Sequence, residues 1–289
     1  MKVVGFSFIK NAVKMQYPIA EAIQSILPLC DEVIVAVGKS EDGTREMVAA
    51  IDKKVKIIDT IWDDNLNEGG RVLAFETNIA FQAIANDADW CVYIQGDEVM
   101  HEDGHEEVRQ AMLKWKDHEE VDGLLFKYRH FFGSYEYIGI EAQWYRNEIR
   151  VIKNNKSFFS FRDAQGFRKS NNKKLRVKPL NAYIHHYGWV QSPYIMKAKI
   201  DYKEKIYHSG HFDETRIAVP EDYAFTLVNA LQKFTLKHPQ VMQHRIANVD
   251  WIFNYDESKN KLSLKDHFKN ISEKILGRRL FDYRNYKIL

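Results

Sequence analysis

Asp89-Trp90-Cys91-Val92-Tyr93-Ile94-Gln95-Gly96-Asp97-Glu98-Val99-Met100-His101-Glu102 is the stretch from which the fold is read. Trp90 to Ile94 are mostly apolar and read as a buried strand. Asp97 and Glu98 follow at once, with Gly96 leaving room beside them, and a charged helix begins near Glu102. In open α/β sheets, ligands bind beyond the carboxyl ends of the strands. Two carboxylates placed there offer the hard oxygen ligands that a divalent cation takes. The plainer alternative is a turn in which one carboxylate caps the next helix.

Strand and helix alternate outward from this stretch. Lys2 to Ile9 reads as a first strand, and Ile19, Ile23, Ile26 and Leu27 mark one helical face. Glu32 to Val37 is β-branched and apolar on both faces, as central parallel strands are. A loop from Gly38 to Thr44 leads to a helix face of Met47, Val48 and Ile51, and Val55 to Ile58 is a short strand. After a polar loop, Asn65 to Gly70, a helix carries Val72, Phe75, Ile79 and Ala83 on one side. Beyond the Trp90 strand, Val108, Met112 and Trp115 stripe a helix, and Gly123 to Tyr128 is another strand. This alternation argues for a parallel sheet with right-handed crossovers.

The second half is less regular. Trp144 to Ile152 and Ala182 to Trp189 look strand-like, while Arg168 to Lys178 reads as a solvated basic loop. The spacing predicts helices over Tyr194 to His208, Tyr223 to Lys237 and Lys265 to Leu276, the last stopped by Gly277.

The 289 residues suffice for one large domain or one domain with an appendage. A formal net charge of +2 argues against a dedicated nucleic-acid binder. Cys30 and Cys91, both in apolar surroundings, read as reduced core thiols of a cytoplasmic protein. No apolar run reaches the ~20 residues that span a bilayer, and Ser7 and Lys10 interrupt any signal-peptide pattern. Aromatic residues are abundant, which suits a carbohydrate or nucleotide pocket and an ordinary core alike.

Four pieces in order carry a family resemblance: Ser7-Phe8-Ile9-Lys10-Asn11, Ser40-Glu41-Asp42-Gly43-Thr44, Asn67 through Asn78, and Gln95-Gly96-Asp97-Glu98. The second half adds His186-Tyr187-Gly188-Trp189-Val190, Phe234 to Pro239 and Tyr283 to Lys287. Together they resemble the GT-A glycosyltransferases, specifically the inverting family 2, in its uncharacterised bacterial members. The second piece looks like the family's S-x-D-G-T loop, and the fourth stands in the place of its D-x-D motif. Three positions depart from the pattern. Gln95 replaces the first Asp, Thr77 stands where the family often has Arg (with Arg71 nearby), and Val37 and Gly38 replace an acidic residue before the loop.

The resemblance implies an α/β fold of GT-A (Rossmann-like) type, a mostly parallel sheet flanked by helices with a C-terminal helical extension. Residues 1–215 would bind the nucleotide sugar and carry catalysis, and 216–289 would pack on that core. It implies a metal-dependent inverting transfer from a nucleoside-diphosphate sugar to a glycan or lipid-linked acceptor, in cell-surface polysaccharide synthesis. Ser7, Phe8, Lys10, Asn11, Ser40 and Asp42 would bracket the nucleobase, with Arg71, Asn78, Gln95, Gly96 and Asp97 completing the donor site. Asp97 and a late histidine, His186, would hold Mn2+ or Mg2+. Oxygen donors suit these ions, and a bound cation neutralises charge on a departing diphosphate. His185 and His186 face opposite sides of a strand, so only one reaches the site. Asp163 is the candidate base for the acceptor hydroxyl, with Glu141 and Asp222 as rivals. The location expected is cytoplasmic; Arg278, Arg279, Arg284 and Lys287 among Phe281, Tyr283 and Tyr286 offer peripheral contact at the inner face of the membrane, against the stronger reading of residues snorkelling on a packed C-terminal tail. Competing readings are a metal-dependent phosphoesterase and a non-catalytic nucleotide-sugar binder.

Overall fold

Runs of buried β-branched and aromatic residues set the strands, and the helices lay apolar faces over them. The computed structural model describes residues 1–66, 68–207 and 228–289. In chain order the elements are β1 (Val3–Ile9), α1 (Ile19–Ile26), β2 (Glu32–Gly38), α2 (Thr44–Ala49), β3 (Val55–Thr60), α3 (Arg71–Gln82), β4 (Trp90–Tyr93), β5 (Glu98–Met100) and α4 (His105–Trp115). There follow β6 (Gly123–Phe132), β7 (Tyr137–Gly139), β8 (Asn147–Lys153), β9 (Phe158–Phe161), β10 (Gly166–Lys169), β11 (Leu175–Trp189) and α5 (Pro193–Tyr207). The last are β12 (Leu231–Lys233), α6 (Gln243–Ala247), α7 (Leu264–Leu276) and β13 (Tyr286–Ile288).

The fold is α/β, a large mixed sheet flanked by helices. β3, β2, β1 and β4 are neighbours in that order and all parallel. β8 then pairs antiparallel with β4 and with β6. The other edge of β6 runs parallel to β11, which also pairs antiparallel with β5. Side chains alternate across this sheet. Trp90, Val92 and Ile94 enter the core beneath α1 and α4, with Ile23, Ile26, Val108 and Met112. Cys91 and Tyr93 enter the opposite core beneath α3, with Phe6, Phe81 and Phe167.

The second half departs from its sequence reading in three places. Trp144 to Arg146 is a bend before β8 rather than strand, and its Trp144 closes a wall of the cavity described below. β11 begins at Leu175, so the end of the basic stretch Arg168 to Lys178 is ladder. The helix expected over Tyr223 to Lys237 is replaced, from residue 228 onward, by an extended segment with β12 paired to β7. Residues 223–227 of that expectation, Asp222, Asn67 and the proposed boundary at 215 lie outside the described residues. The C-terminal segment also gives β13 to the sheet, parallel to β11. Among the described residues no helix is long and apolar enough to cross a membrane.

A buried hydrogen-bond chain runs beside β11. Arg129 donates to His185 Nε2 at 3.0 Å, so His185 carries its proton on Nδ1, 3.0 Å from the Tyr187 hydroxyl. Tyr187 lies 2.8 Å from His238 Nδ1, and His238 Nε2 donates to the Tyr135 carbonyl at 3.0 Å. Burial, aided by His101 and Arg129 nearby, lowers His238 to about 4. An unfolded histidine titrates near 6.5, so between the two values the unfolded chain binds the extra proton. This contribution to stability is complete above that window and is lost as pH falls through it toward about 4. We expect Tm to drop by a few degrees over that interval. A flat Tm across it would show that His238 is not held neutral.

Candidate active site

β4 ends at Tyr93, and the chain turns through Gln95, Gly96 and Asp97 into β5. Gly96 packs closely on β1: a Cβ there would lie 2.6 Å from Ile9 Cδ1, so the Ile9 side chain would have to shift. Glu98 points into the interior and is wholly buried. Arg150 Nε and Nη2 donate to its two oxygens at 2.7 and 2.6 Å, and Tyr128 adds a hydrogen bond at 2.9 Å. The backbone N–H of Gln95 donates to the same carboxylate at 3.2 Å. One buried ion pair thus fixes the turn that carries Asp97.

Asp97 sits opposite His186 of β11, with His186 Nε2 3.6 Å from Asp97 Oδ2. The Lys199 ammonium of α5 lies 3.5 Å from the same oxygen. Burial opposes the charge on Asp97, but positive charge on His186 in its protonated form and on the Lys199 ammonium outweighs it and holds the carboxyl below its usual range. Lys199 also donates to the Gly188 carbonyl and packs over the Tyr17 ring at 4.8 Å. Gly188 borders the same space. A Cβ there would fall 2.5 Å from Asp97 Oδ2 and 2.8 Å from His186 Cε1.

The tautomer of His186 follows from its neighbour. Burial drives His130 well below its ordinary value, so it is neutral. Its Nε2 lies 2.8 Å from the Tyr145 carbonyl, which can only accept, so Nε2 carries the proton and Nδ1 a lone pair. That lone pair faces His186 Nδ1 at 3.3 Å. His186 Nδ1 therefore donates; burial lowers His186 below its ordinary value, and in that neutral ring Nε2 faces Asp97 with its lone pair. An imidazole whose far nitrogen is fixed by a hydrogen bond is the form that ligates metals. Asp97, His186 and the gap kept by Gly188 fit a divalent cation that takes its other ligands from phosphate and water. No group of three or more His, Cys, Asp or Glu among the described residues could hold a metal alone.

These residues line a cavity of about 340 Å³. It gathers Phe8, Lys10, Gln95, Gly96, Asp97, Asp163 and His186 from the sequence candidates. Trp62, Gln143, Trp144, Tyr145, Trp189 and Lys199 complete much of the wall. Asp163 rides the turn between β9 and β10, where Arg162 and Ala164 take positive φ. The Gln95 amide donates to the Ala164 carbonyl at 3.0 Å and so latches that turn to the Asp97 loop.

Other candidates stand apart from the lining. Ser7 is buried in β1, and Arg71 is exposed at the start of α3. Asn78 holds β9, accepting from Ser160 N–H at 2.7 Å. Ser40 Oγ accepts from Asn11 N–H at 2.9 Å, and Asp42 accepts from Lys14 N–H at 2.7 Å and from the Thr44 hydroxyl at 2.6 Å. These side chains tie the second loop to the first. His185 faces the buried chain described above, away from Asp97. Glu141, a rival base, is occupied by Asn229 N–H at 2.9 Å and its side-chain amide at 2.8 Å. Lys199 and His130 had no local sequence signal, since each gains its role only from β11 packing beside it.

Gly188→Ala is expected to weaken binding of a nucleoside diphosphate with Mn2+ by tenfold or more on the order-of-magnitude scale of a disturbed ligand shell. Isothermal titration checks it, and unaltered affinity in a folded variant would mean that the gap is not used.

No family model and no curated protein sequence matches the chain. Among solved structures it is similar to S. aureus TarS, at 14% identity and a TM-score of 0.40, over 75% of this chain and 41% of that one. TarS 1-349 in complex with UDP is similar at 14% identity and a TM-score of 0.38, over 75% and 68% of the two chains. Glucosyl-3-phosphoglycerate synthase from Mycobacterium tuberculosis, in complex with Mn2+, uridine diphosphate and phosphoglyceric acid, is similar at 18% identity and a TM-score of 0.31, over 45% and 43%. The chain spans about two fifths of the length of the first of these. All three similarities are remote.

Proposed function

We propose that the protein is a metal-dependent inverting glycosyltransferase that moves a sugar from a nucleoside-diphosphate sugar to a glycan or lipid-linked hydroxyl acceptor. One observation carries the reading: His186 Nε2 faces Asp97 Oδ2 at 3.6 Å across a gap that Gly188 keeps open. The ordered motif pieces from Ser7 to Glu98 support the same family. In this reading residues 1–215 bind donor and carry catalysis, and 216–289 pack against them.

Mn2+ or Mg2+ held by Asp97 and His186 would act as a Lewis acid on the diphosphate. Lys199, already beside Asp97, adds a second positive charge where the leaving group gains negative charge. Phe8 and Trp62, with ring centroids 6.1 Å apart, offer an apolar wall for the base, and Lys10 lies over Trp62 at 5.3 Å. Trp144, Tyr145 and Trp189 offer faces on which sugars stack. Asp163 takes the acceptor proton as that oxygen attacks the anomeric carbon. The bond from that carbon to the diphosphate breaks, and the configuration inverts. A two-metal phosphoesterase centre would need more carboxylates and imidazoles than the described residues gather here.

Incubation with a panel of nucleotide sugars and Mn2+ tests the reading. Metal-dependent release of nucleoside diphosphate is expected. Release of inorganic phosphate, or tight donor binding with no turnover on any acceptor, would replace it by one of the two rival functions. Asp163→Asn is expected to lower kcat by about a hundredfold or more while donor affinity holds, as loss of a general base does. Equal kcat in the variant would move the base elsewhere.

A further inference from the structure

We propose that α7 and the basic groove beside it form a surface that docks on an anionic lipid bilayer. The helix is inside out. Its buried residues are Asp266, Lys269 and Ser272, while Leu264, Phe268, Ile271 and Ile275 are 89%, 50%, 57% and 74% exposed. At about 100° per residue those four apolar positions fall within an arc of about 60°. Exposed Lys265 and Lys274 flank the stripe on either side. The polar face is used for attachment. Asp266 accepts from Ala142 N–H at 2.6 Å, Asn270 donates to the Ile140 carbonyl at 3.2 Å, and Lys269 pairs with Asp282. Ser263 and Gly277 cap the two ends, so the helix is held by its own ends and its polar side. Its apolar stripe is left half or more exposed.

The chain after α7 continues the surface. Phe281 is 89% exposed, stacks against Phe268 at 6.2 Å, and sits at φ 59°. A bulky aromatic at positive φ, aimed into solvent, is strained, and strain of this kind concentrates at functional surfaces. On either side of it in sequence, Arg278 and Arg284 enter a groove of about 930 Å³ with Lys173, Lys174, Arg176 and Lys287. Asp122 neutralises Arg176 and the neighbouring Lys169 in part, at 3.1 and 2.9 Å. The remaining cations are concentrated on a chain whose formal net charge is only +2.

The two halves of the surface select the occupant. A soluble polyanion would satisfy the groove and leave Ile275 and Phe281 bare. A second copy meeting this face by two-fold symmetry would set like-charged grooves together. An anionic bilayer answers both, with acyl chains under the stripe, headgroups at the cations and lysines reaching outward along its margins. Arg279 and Tyr286, which the sequence reading had placed on such a surface, belong to the interior. Arg279 is buried and donates to the carbonyls of Ile140 and Glu141, each at 2.9 Å. α7 and Arg279 grip residues 140–142, and the next residues, Gln143, Trp144 and Tyr145, line the cavity. Docking would therefore bring the cavity's Trp144 wall close to the membrane, a consequence that matters for a lipid-linked acceptor only if the function proposed above holds.

Flotation with vesicles of phosphatidylcholine plus phosphatidylglycerol, and of phosphatidylcholine alone, tests the proposal independently of any activity. Wild type is expected to float with the first and not the second, and to release at high salt. Phe268→Ser with Ile275→Ser is expected to lower the partition coefficient about a hundredfold. Lys173→Ala, Lys174→Ala and Arg278→Ala together are expected to do the same. All five positions are exposed, so an unchanged Tm certifies that the variants are folded. No flotation of wild type overturns the proposal. So does equal flotation of the Phe268/Ile275 variant, or a wild-type dimer that this variant converts to monomer.

Discussion

Arg150→Met is expected to destabilise the protein by about 3–5 kcal/mol, the usual cost of leaving a buried charge without its partner. Arg150 and Glu98 are both wholly inaccessible and joined by two short hydrogen bonds. The attraction to Glu98 overcomes burial and keeps the guanidinium firmly charged. Removal of Arg150 strands the Glu98 carboxylate and frees the carbonyls of Ile149 and Gln165, which Arg150 Nη1 binds at 2.8 and 2.9 Å. For a chain of this size the loss corresponds to a fall in Tm of roughly 10 °C. Glu98→Leu combined with Arg150→Met should recover much of it, because replacing a buried pair by apolar groups is often neutral. The double variant should nonetheless bind donor poorly, since the pair anchors the turn that bears Asp97. Chemical denaturation with donor titration on both variants decides this. A single variant within about 1 kcal/mol of wild type would mean that the pair is not a structural anchor.

Asp97→Asn is expected to cost on the order of a thousandfold in turnover, the size of the several kcal/mol that a bound cation supplies to a charged leaving group. Stability should change little, because Asp97 lies at the cavity wall and its loss leaves Lys199 in contact with the Gly188 carbonyl. Donor affinity should lose its dependence on Mn2+ at the same time. Full Mn2+-dependent binding by the folded variant would remove Asp97 from the metal and assign the carboxylate to Lys199 alone.

The first four sheet strands were readable because each is a short apolar run bounded by turns, and parallel strands buried on both faces leave that trace. The Asp97 loop was readable for the same reason, as it follows the last of them. β5 was not, because three residues between a carboxylate turn and a helix carry no period. β12 was misread because Phe225, Val228 and Leu231 have helical spacing, while the pairing of Leu231 with Gly139 comes from a strand far away in sequence. Within the site, alternation along β11 leaves His185 and His186 open and only the family resemblance favours His186, whereas Arg150, His130 and Lys199 carry no sequence signal. Arg150 lies 52 positions from Glu98, and His130 lies 56 from His186. α7 was located correctly, but a helix pattern alone does not tell which face is buried. Its polar side faces the body because Ala142, Ile140 and Asp282 offer it partners.

The most direct test of the metal site is the electron spin-echo spectrum of Mn2+ bound with a nucleoside diphosphate, with UDP, GDP and dTDP tried in turn. The expected result is a nitrogen-14 modulation from a directly ligated imidazole in wild type and in His185→Ala, and its loss in His186→Ala. Nitrogen modulation that persists in His186→Ala, or Mn2+ bound with the nucleotide and no nitrogen signal in wild type, would contradict a cation held between Asp97 and His186.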